Sequence, residues 1–178
     1  KYHRVVFMTL GTGIGGAVII NGKLLDAGEY PGCEFGHMVI KENGLECNCG
    51  RKGCFEKYGS MRAFKDNLRN ELGLEDKTSG KELMAILKNT TKESKDYAKI
   101  EKVRKQYIRD LSVGITNLVN IFEPEAIGIG GSFVQQIVGA DAYDKALFCE
   151  AVTYLDFHVR EDIVYSDTGK IVIVLNRS

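Results

Sequence analysis

The stretch from His37 to Cys54 constrains this chain more than any other. It places one histidine and three cysteines in the pattern His-x9-Cys-x-Cys-x4-Cys, with the donors His37, Cys47, Cys49 and Cys54. Imidazole and thiolate together suit tetrahedral zinc, and four protein ligands leave no position for a reacting water. The pattern therefore predicts a structural zinc ion. The alternative is three loop thiols beside an unrelated histidine.

Two acids flank this stretch. Glu34 lies three positions before the histidine, and Glu56 lies two positions after the last cysteine. Most glutamates are ordinary surface residues. Two carboxylates held beside a rigid metal loop can, however, accept hydrogen bonds from the hydroxyls of a polyhydroxylated ligand. Cys33 and Cys149 fall outside the pattern and are interpreted as plain thiols.

Charge and cysteine content exclude several classes of protein. Lys+Arg and Asp+Glu number 24 each, so no basic surface for nucleic acid is expected. No apolar run approaches the ~20 residues of a membrane helix, and no membrane partner is expected. Five cysteines, an odd number that includes a Cys-x-Cys, argue against a secreted disulfide framework. We expect reduced thiols and a cytoplasmic protein.

Local patterns predict a mixed α/β domain. Ser60 and the capping box Ser79-x-x-Glu82 open two helices, Gly73 ends the first, and a long helix of period near 3.67 ends before Pro124. A further helix is expected over 141–157. The predicted strands are residues 4–10, 17–20, 23–25, 37–40, 126–129, 163–165 and 171–175, with a type I′ turn at Asn21-Gly22.

The segment Gly11 to Gly16 matches G-x-G-x-x-G literally. A dinucleotide site would need a helix to follow, but β-branched residues and a hairpin turn follow instead, and no G-K-[ST] closes a Walker loop. A glycine-rich turn between two strands can point backbone N–H groups at an anion, and Thr12 adds a hydroxyl. We interpret the segment as a phosphate-binding turn, with a tight hairpin as the alternative.

A second glycine turn spans Gly128 to Ser132. A base or ribose can lie flat on such a turn. An ordinary strand-to-helix connection with Ser132 as N-cap explains the same residues. The spacing alone leaves both interpretations open.

Four motifs together resemble the ROK sugar kinases, and bacterial glucokinases in particular. These motifs are LGTGIGG, Glu34-x-Gly-His37, C-x-C-G-x-x-G-C-x-E and FEPEAIGIGGS. The resemblance implies the actin-like, ribonuclease-H-like ATPase fold. It implies that residues 1–178 form a single C-terminal lobe, with a zinc and sugar loop at 28–56 and nucleotide-binding turns at 10–16 and 128–132.

The resemblance also implies roles for individual residues. Sugar hydroxyls would bind Glu34, His37 and Glu56, and His37 would also ligate zinc through its other ring nitrogen. Mg²⁺ would accompany ATP. The residues implied for ATP phosphates are Gly11, Thr12, Gly13, Gly15 and Gly16, and those implied near the adenosine are Gly130, Gly131 and Ser132.

The sequence also departs from the family pattern. The family's D-x-G-G-T and N-D-x-N segments are absent, and with them the aspartate that acts as general base. We therefore expect an N-terminal lobe and a terminal helix outside this sequence, no catalytic base within it, and no activity from it alone. The glycine that usually precedes Glu34 is Cys33 here, which leaves the sugar preference open.

The resemblance implies ATP-dependent phosphorylation of a hexose, with glucose favoured, to the hexose 6-phosphate. The cofactors would be ATP, Mg²⁺ and structural Zn²⁺, and a homodimer is expected. The sugar-sensing domain of a ROK-type repressor is an alternative, although a sensor needs no phosphate turn. A free-standing zinc interaction module is a third hypothesis, and it leaves the glycine loop without a role.

Overall fold

Six strands form one mixed sheet in this computed structural model, which describes residues 2–25, 33–131, 162–166 and 170–174. The order across the sheet is β3-β2-β1-β4-β6-β5. β1 and β4 are parallel, and the other neighbours are antiparallel. The strands are β1 Arg4–Leu10, β2 Ile14–Ile20, β3 Lys23–Leu24, β4 Ala126–Gly130, β5 Asp162–Ser166 and β6 Lys170–Val174.

Strand β1 lies within the sheet and positions the site. Its alternate side chains Val6, Met8 and Leu10 are buried against the helices, as the two-residue repeat of a strand requires. The parallel register pairs Thr9 with Gly130. Because parallel strands end at the same edge of a sheet, the residues that follow β1 and β4 lie side by side there.

The first glycine turn is shorter than predicted. β2 already begins at Ile14, so Gly15 and Gly16 pair with β1 instead of lying in a loop, and only residues 11–13 form the turn. At the second glycine turn, the predicted strand over 126–129 is confirmed and extends by one residue, because β4 ends at Gly130. The physical reason is that pairing with β1 satisfies backbone groups that a loop would leave to solvent. The hairpin turn is confirmed, since Asn21 and Gly22 have φ of 54° and 74°.

Within residues 33–131, between β3 and β4, the chain forms four α-helices: α1 Glu56–Gly59, α2 Met61–Leu72, α3 Gly80–Asn89 and α4 Tyr97–Phe122. The predicted helix starts are confirmed. The Ser60 hydroxyl accepts from the Ala63 N–H, and Ser79 and Glu82 form a reciprocal capping box. Gly73 ends α2 with φ 66°. α4 ends at Phe122, and its C-cap Glu123 stands directly before Pro124.

The core lies between the sheet and these helices. α4 has 26 residues, a length of ~39 Å, and its buried stripe includes Leu111 and Ile115. The Phe55 ring packs on Gly114, where a Cβ would come within 2.2 Å of it. The Tyr107 hydroxyl donates to the Gly59 carbonyl at 2.9 Å. The metal-binding segment therefore continues directly into the core through Phe55.

The predicted strand over 37–40 is wrong. Phe35–His37 form a 3₁₀ turn, and Val39 makes only an isolated bridge with Cys54. Met38 and Ile40 are apolar because they pack against the core. The metal-binding segment that follows them forms no continuous strand with which residues 37–40 could pair. The predicted helix over 141–157, Ser132, Cys149 and most of the 28–36 loop lie outside the described residues. None of the helices in the described ranges is long and apolar enough to cross a membrane.

Candidate functional site

The four predicted donors converge at one point. The ligand atoms of His37, Cys47, Cys49 and Cys54 all lie within 4.8 Å of one another. Cys47 Sγ is 3.5 Å from His37 Nδ1, and Cys49 Sγ is 3.5 Å from Cys54 Sγ. A tetrahedral ion with Zn–S bonds of ~2.3 Å places its ligand atoms ~3.8 Å apart. The donor set and its spacing therefore fit zinc.

Short backbone turns bring the cysteines together in the metal loop, residues 41–54. The Gly50 N–H donates to the Cys47 carbonyl, and the Cys47 N–H donates to the Arg51 carbonyl, each at 2.9 Å. Gly50 and Gly53 have φ of 86° and 79°, which glycine adopts without strain. Phe55 then anchors the loop to Met38 through a backbone hydrogen bond of 2.7 Å.

The three thiols have different acidities. Hydrogen bonds from the Arg51 backbone and guanidinium lower the pKa of the exposed Cys49 thiol to about 6. Burial, the largest cause, raises the pKa of the Cys54 thiol to about 12. A metal ion binds the thiolate form, so its binding displaces the protons that remain. The loop thus holds one thiolate ready at neutral pH.

Glu56 joins this cluster to the glycine turn. Its Oε1 accepts from the Cys47 thiol at 3.4 Å and lies 4.0 Å from His37 Nδ1. Its Oε2 lies 2.8 Å from the position that a Cβ on Gly13 would occupy. A side chain at position 13 would therefore displace the carboxylate, and glycine there allows Glu56 to approach the turn.

A cavity of about 390 Å³ opens beside Glu56. Gly131 enters its wall with φ 95°, and a Cβ there would meet the Leu10 carbonyl at 2.6 Å, so this position also requires glycine. The carboxyl ends of the parallel strands β1 and β4 therefore both contribute to this cavity. Its lining residues are Thr9, Gly11, Thr12, Gly13, Ile14, Gly15, Glu56 and Gly131.

Glu34, Gly16 and Gly130 are the other predicted binding residues that the structure describes outside the metal cluster, and they do not line this cavity. Glu34 is 4.0 Å from His37 Nε2, with 66% of its side chain exposed, against 25% for Glu56. Gly16 forms a bridge with Cys33. Gly130 ends β4. The two acids therefore differ, because Glu56 is held between the metal cluster and the glycine turn and Glu34 faces solvent.

A polar contact that the sequence analysis missed fastens the metal loop to α4. Lys41 Nζ lies 2.8 Å from Asp110 Oδ1, whose side chain is 7% exposed, and 4.2 Å from the centre of the Tyr58 ring. The Tyr58 hydroxyl accepts from the Leu45 N–H at 2.6 Å. The sequence did contain a signal for this contact, since Asp110 lies beside the apolar stripe of the long helix. A buried carboxylate requires a partner, so a cation could have been expected near it.

Comparison with known proteins identifies the family. The match to the ROK family extends over residues 1–149, and the chain belongs to that family. It is 33% identical over 136 residues to a glucokinase of Thermotoga maritima, covering 73% of this chain and 43% of the relative. It is 30% identical over 135 residues to the xylose repressor of Bacillus spizizenii, covering 76% and 33%. The chain thus spans less than half the length of these relatives.

Solved structures agree on the fold. The ROK hexokinase of Thermus thermophilus superimposes with a TM-score of 0.71 at 24% identity, over 87% of this chain and 49% of that one. A ROK glucokinase of Streptomyces griseus, in complex with glucose and AMPPNP, gives 0.66 at 26% identity, over 88% and 50%. The fold is the actin-like ATPase fold of the ROK kinases.

Proposed function

We propose that this chain is the C-terminal lobe of an ATP-dependent hexose kinase of the glucokinase type, which forms a hexose 6-phosphate. The observation that carries this proposal is the position of Glu56. One of its oxygens contacts the metal cluster, and the other reaches the glycine turn. A sugar held by that carboxylate would lie next to a phosphate held by the turn, as transfer between them requires.

Zinc has a structural role in this proposal. Binding of the ion by His37 Nδ1 and the three thiolates would fix the ring, so that Nε2 faces Glu34 and the sugar. Once the Cys47 thiol has lost its proton, Glu56 Oε1 no longer accepts from it. That oxygen then becomes available to a sugar hydroxyl. Metal binding and sugar binding would thus support each other.

The phosphoryl donor would lie along the glycine turn. Thr12 would supply a hydroxyl and the turn would supply backbone N–H groups, while Gly130, Gly131 and Ser132 would face the adenosine. Phosphoryl transfer depends mainly on positioning and on stabilising charge, with Mg²⁺ bridging the phosphates. A general base would come from an N-terminal lobe, and closure of the two lobes would exclude water.

The test compares two glutamates in the complete two-lobed protein. Glu56→Gln keeps the size of the side chain but removes the charge, and Glu46→Gln is the matched control on the exposed side of the metal loop, 3.4 Å from Lys52. We expect Glu56→Gln to raise the KM for glucose about tenfold or more, which corresponds to ~1.4 kcal/mol. The KM for ATP should change less than twofold, and the control should match the wild type.

Equal losses for glucose and ATP would argue that Glu56 only supports the fold. Hexose-independent release of ADP would contradict the kinase proposal itself. Glucose, mannose and N-acetylated amino sugars assayed in parallel would decide which hexose is preferred.

A sugar-sensing domain of a repressor is the second candidate, because the chain is also related to a xylose repressor. The cavity beside the glycine turn favours the kinase, since a sensor does not need to place a phosphate next to the sugar. Sugar-dependent release of operator DNA by the complete protein, without ADP formation from Mg·ATP, would select the repressor.

A further inference from the structure

A second cavity, of about 420 Å³, lies on the other side of the glycine turn. The two cavities share Gly11 and Thr12 as a common wall. The wall facing the turn is formed by one side of α2, and none of these helix residues belongs to the predicted site. The residues that line this second cavity are Gly11, Thr12, Met61, Arg62, Lys65, Asp66, Arg69 and Gly80.

The charges in this cavity do not balance. Arg69 is neutralised, because its Nη1 lies 2.6 Å from Asp66 Oδ1 and its other nitrogens donate to the Thr78 carbonyl. Arg62 and Lys65 form no ion pair with any residue in the described ranges. Asp66 is the single carboxylate among the lining residues and is already engaged. Among the residues that the structure describes, the cavity therefore carries two cations without a counter-charge.

Backbone dipoles add to this positive potential. Lys65 Nζ lies at the start of α3, 3.0 Å from where a Cβ on Gly80 would be. An ammonium group at a helix N-terminus is repelled by the helix dipole unless an anion lies nearby. The acid of that first turn, Glu82, is already used to cap the Ser79 N–H at 2.6 Å. Among the described residues, Lys65 thus has no carboxylate within ion-pair distance at this unfavourable position.

We propose that Arg62 and Lys65 bind the phosphoanhydride chain of the phosphoryl donor, at the phosphates more distant from the sugar than the transferred one. This inference rests on the proposed function and extends it to residues of α2. The two cations are three positions apart and share a face of the helix. The turn between the cavities would hold the transferred phosphate, and α2 would hold the rest of the chain. The donor would be a nucleotide or an inorganic polyphosphate.

The experiment titrates the zinc-loaded chain with ADP and, separately, with inorganic tripolyphosphate. The variants are Arg62→Gln, Lys65→Met and the double variant. Lys65→Arg keeps the charge, and Lys88→Met removes an exposed cation of α3 outside both cavities. We expect each single neutral variant to weaken binding about tenfold, the ~1.4 kcal/mol typical of one charge-assisted contact. Lys65→Arg and Lys88→Met should stay within threefold of the wild type.

The outcomes separate this inference from the proposed function. ADP binding that is equal in the wild type and the double variant overturns the inference and leaves the kinase proposal standing. Dependence on the two cations for tripolyphosphate but no ADP binding supports the anion site and contradicts the nucleotide donor of the proposed function. A wild-type chain that binds neither probe overturns the inference. Unchanged thermal unfolding of the variants verifies that the fold is intact.

Discussion

The metal loop and the helical layer of α2 and α4 are held by different forces. Leu45 is the only aliphatic side chain in residues 41–54, and it is 53% exposed. The loop depends instead on ligand convergence, tight backbone turns and the contact with Asp110. The helical layer buries Phe64, Leu68 and Leu111 almost completely. The loop should therefore lose its order without metal while the layer keeps its own.

The largest expected effect is loss of the ion. Cys49→Ser removes a donor whose side chain is exposed, so any effect reports on the metal and not on packing. Structural zinc supplies ~10–16 kcal/mol of binding energy in small sites. We expect zinc to fall from about one ion per chain to well below that after dialysis against a chelator, measured by metal analysis. The far-UV circular dichroism of the helices should change little.

Cys33→Ser is the matched control, because Cys33 is a free cysteine outside the donor cluster. It should keep its zinc. Equal zinc content in the Cys49→Ser and wild-type chains would contradict the site assignment.

The second effect acts on the helical layer. Leu111→Ala creates a cavity at a fully buried position, and such changes cost about 2–5 kcal/mol. Denaturant unfolding should show this loss, whereas zinc content should stay unchanged. Val113→Ala, on the same helix but 44% exposed, should stay within about 0.5 kcal/mol of the wild type. Parallel loss of zinc in Leu111→Ala would show that the two regions are one cooperative unit.

The smallest effect tests the contact between the two regions. Asp110→Asn removes the charged partner of Lys41. Because the Lys41 side chain is partly exposed and stays hydrated, we expect the free energy of unfolding to fall by about 1–2 kcal/mol. The loop should then open more often and release zinc faster to a chelator. Glu71→Gln breaks an ion pair between α2 and α4 that does not involve the loop. Its zinc release should match the wild type, and equal acceleration in both variants would disprove a specific fastening by Asp110.

Helix boundaries could be predicted because their signals are local. Ser60, Ser79 and Gly73 act on backbone groups within one turn, and the structure confirms each of them. The strand predicted over 37–40 failed because a strand also requires a partner, and residues close in the chain do not specify one. The length of the glycine turn was overestimated for the same reason, since β1 pairs with Gly15 and Gly16.

The sequence alone determined the type, number and spacing of the four predicted metal donors, because these properties depend only on which residues are present and on how far apart they lie in the chain. Only the tertiary structure decided that Glu56 lies between the metal and the glycine turn while Glu34 faces solvent. Only the structure brought Lys41 to Asp110, and placed Arg62 and Lys65 across the turn from the metal side. These contacts depend on how a helix is set against the sheet. That arrangement arises from the packing of the whole core and not from any local pattern.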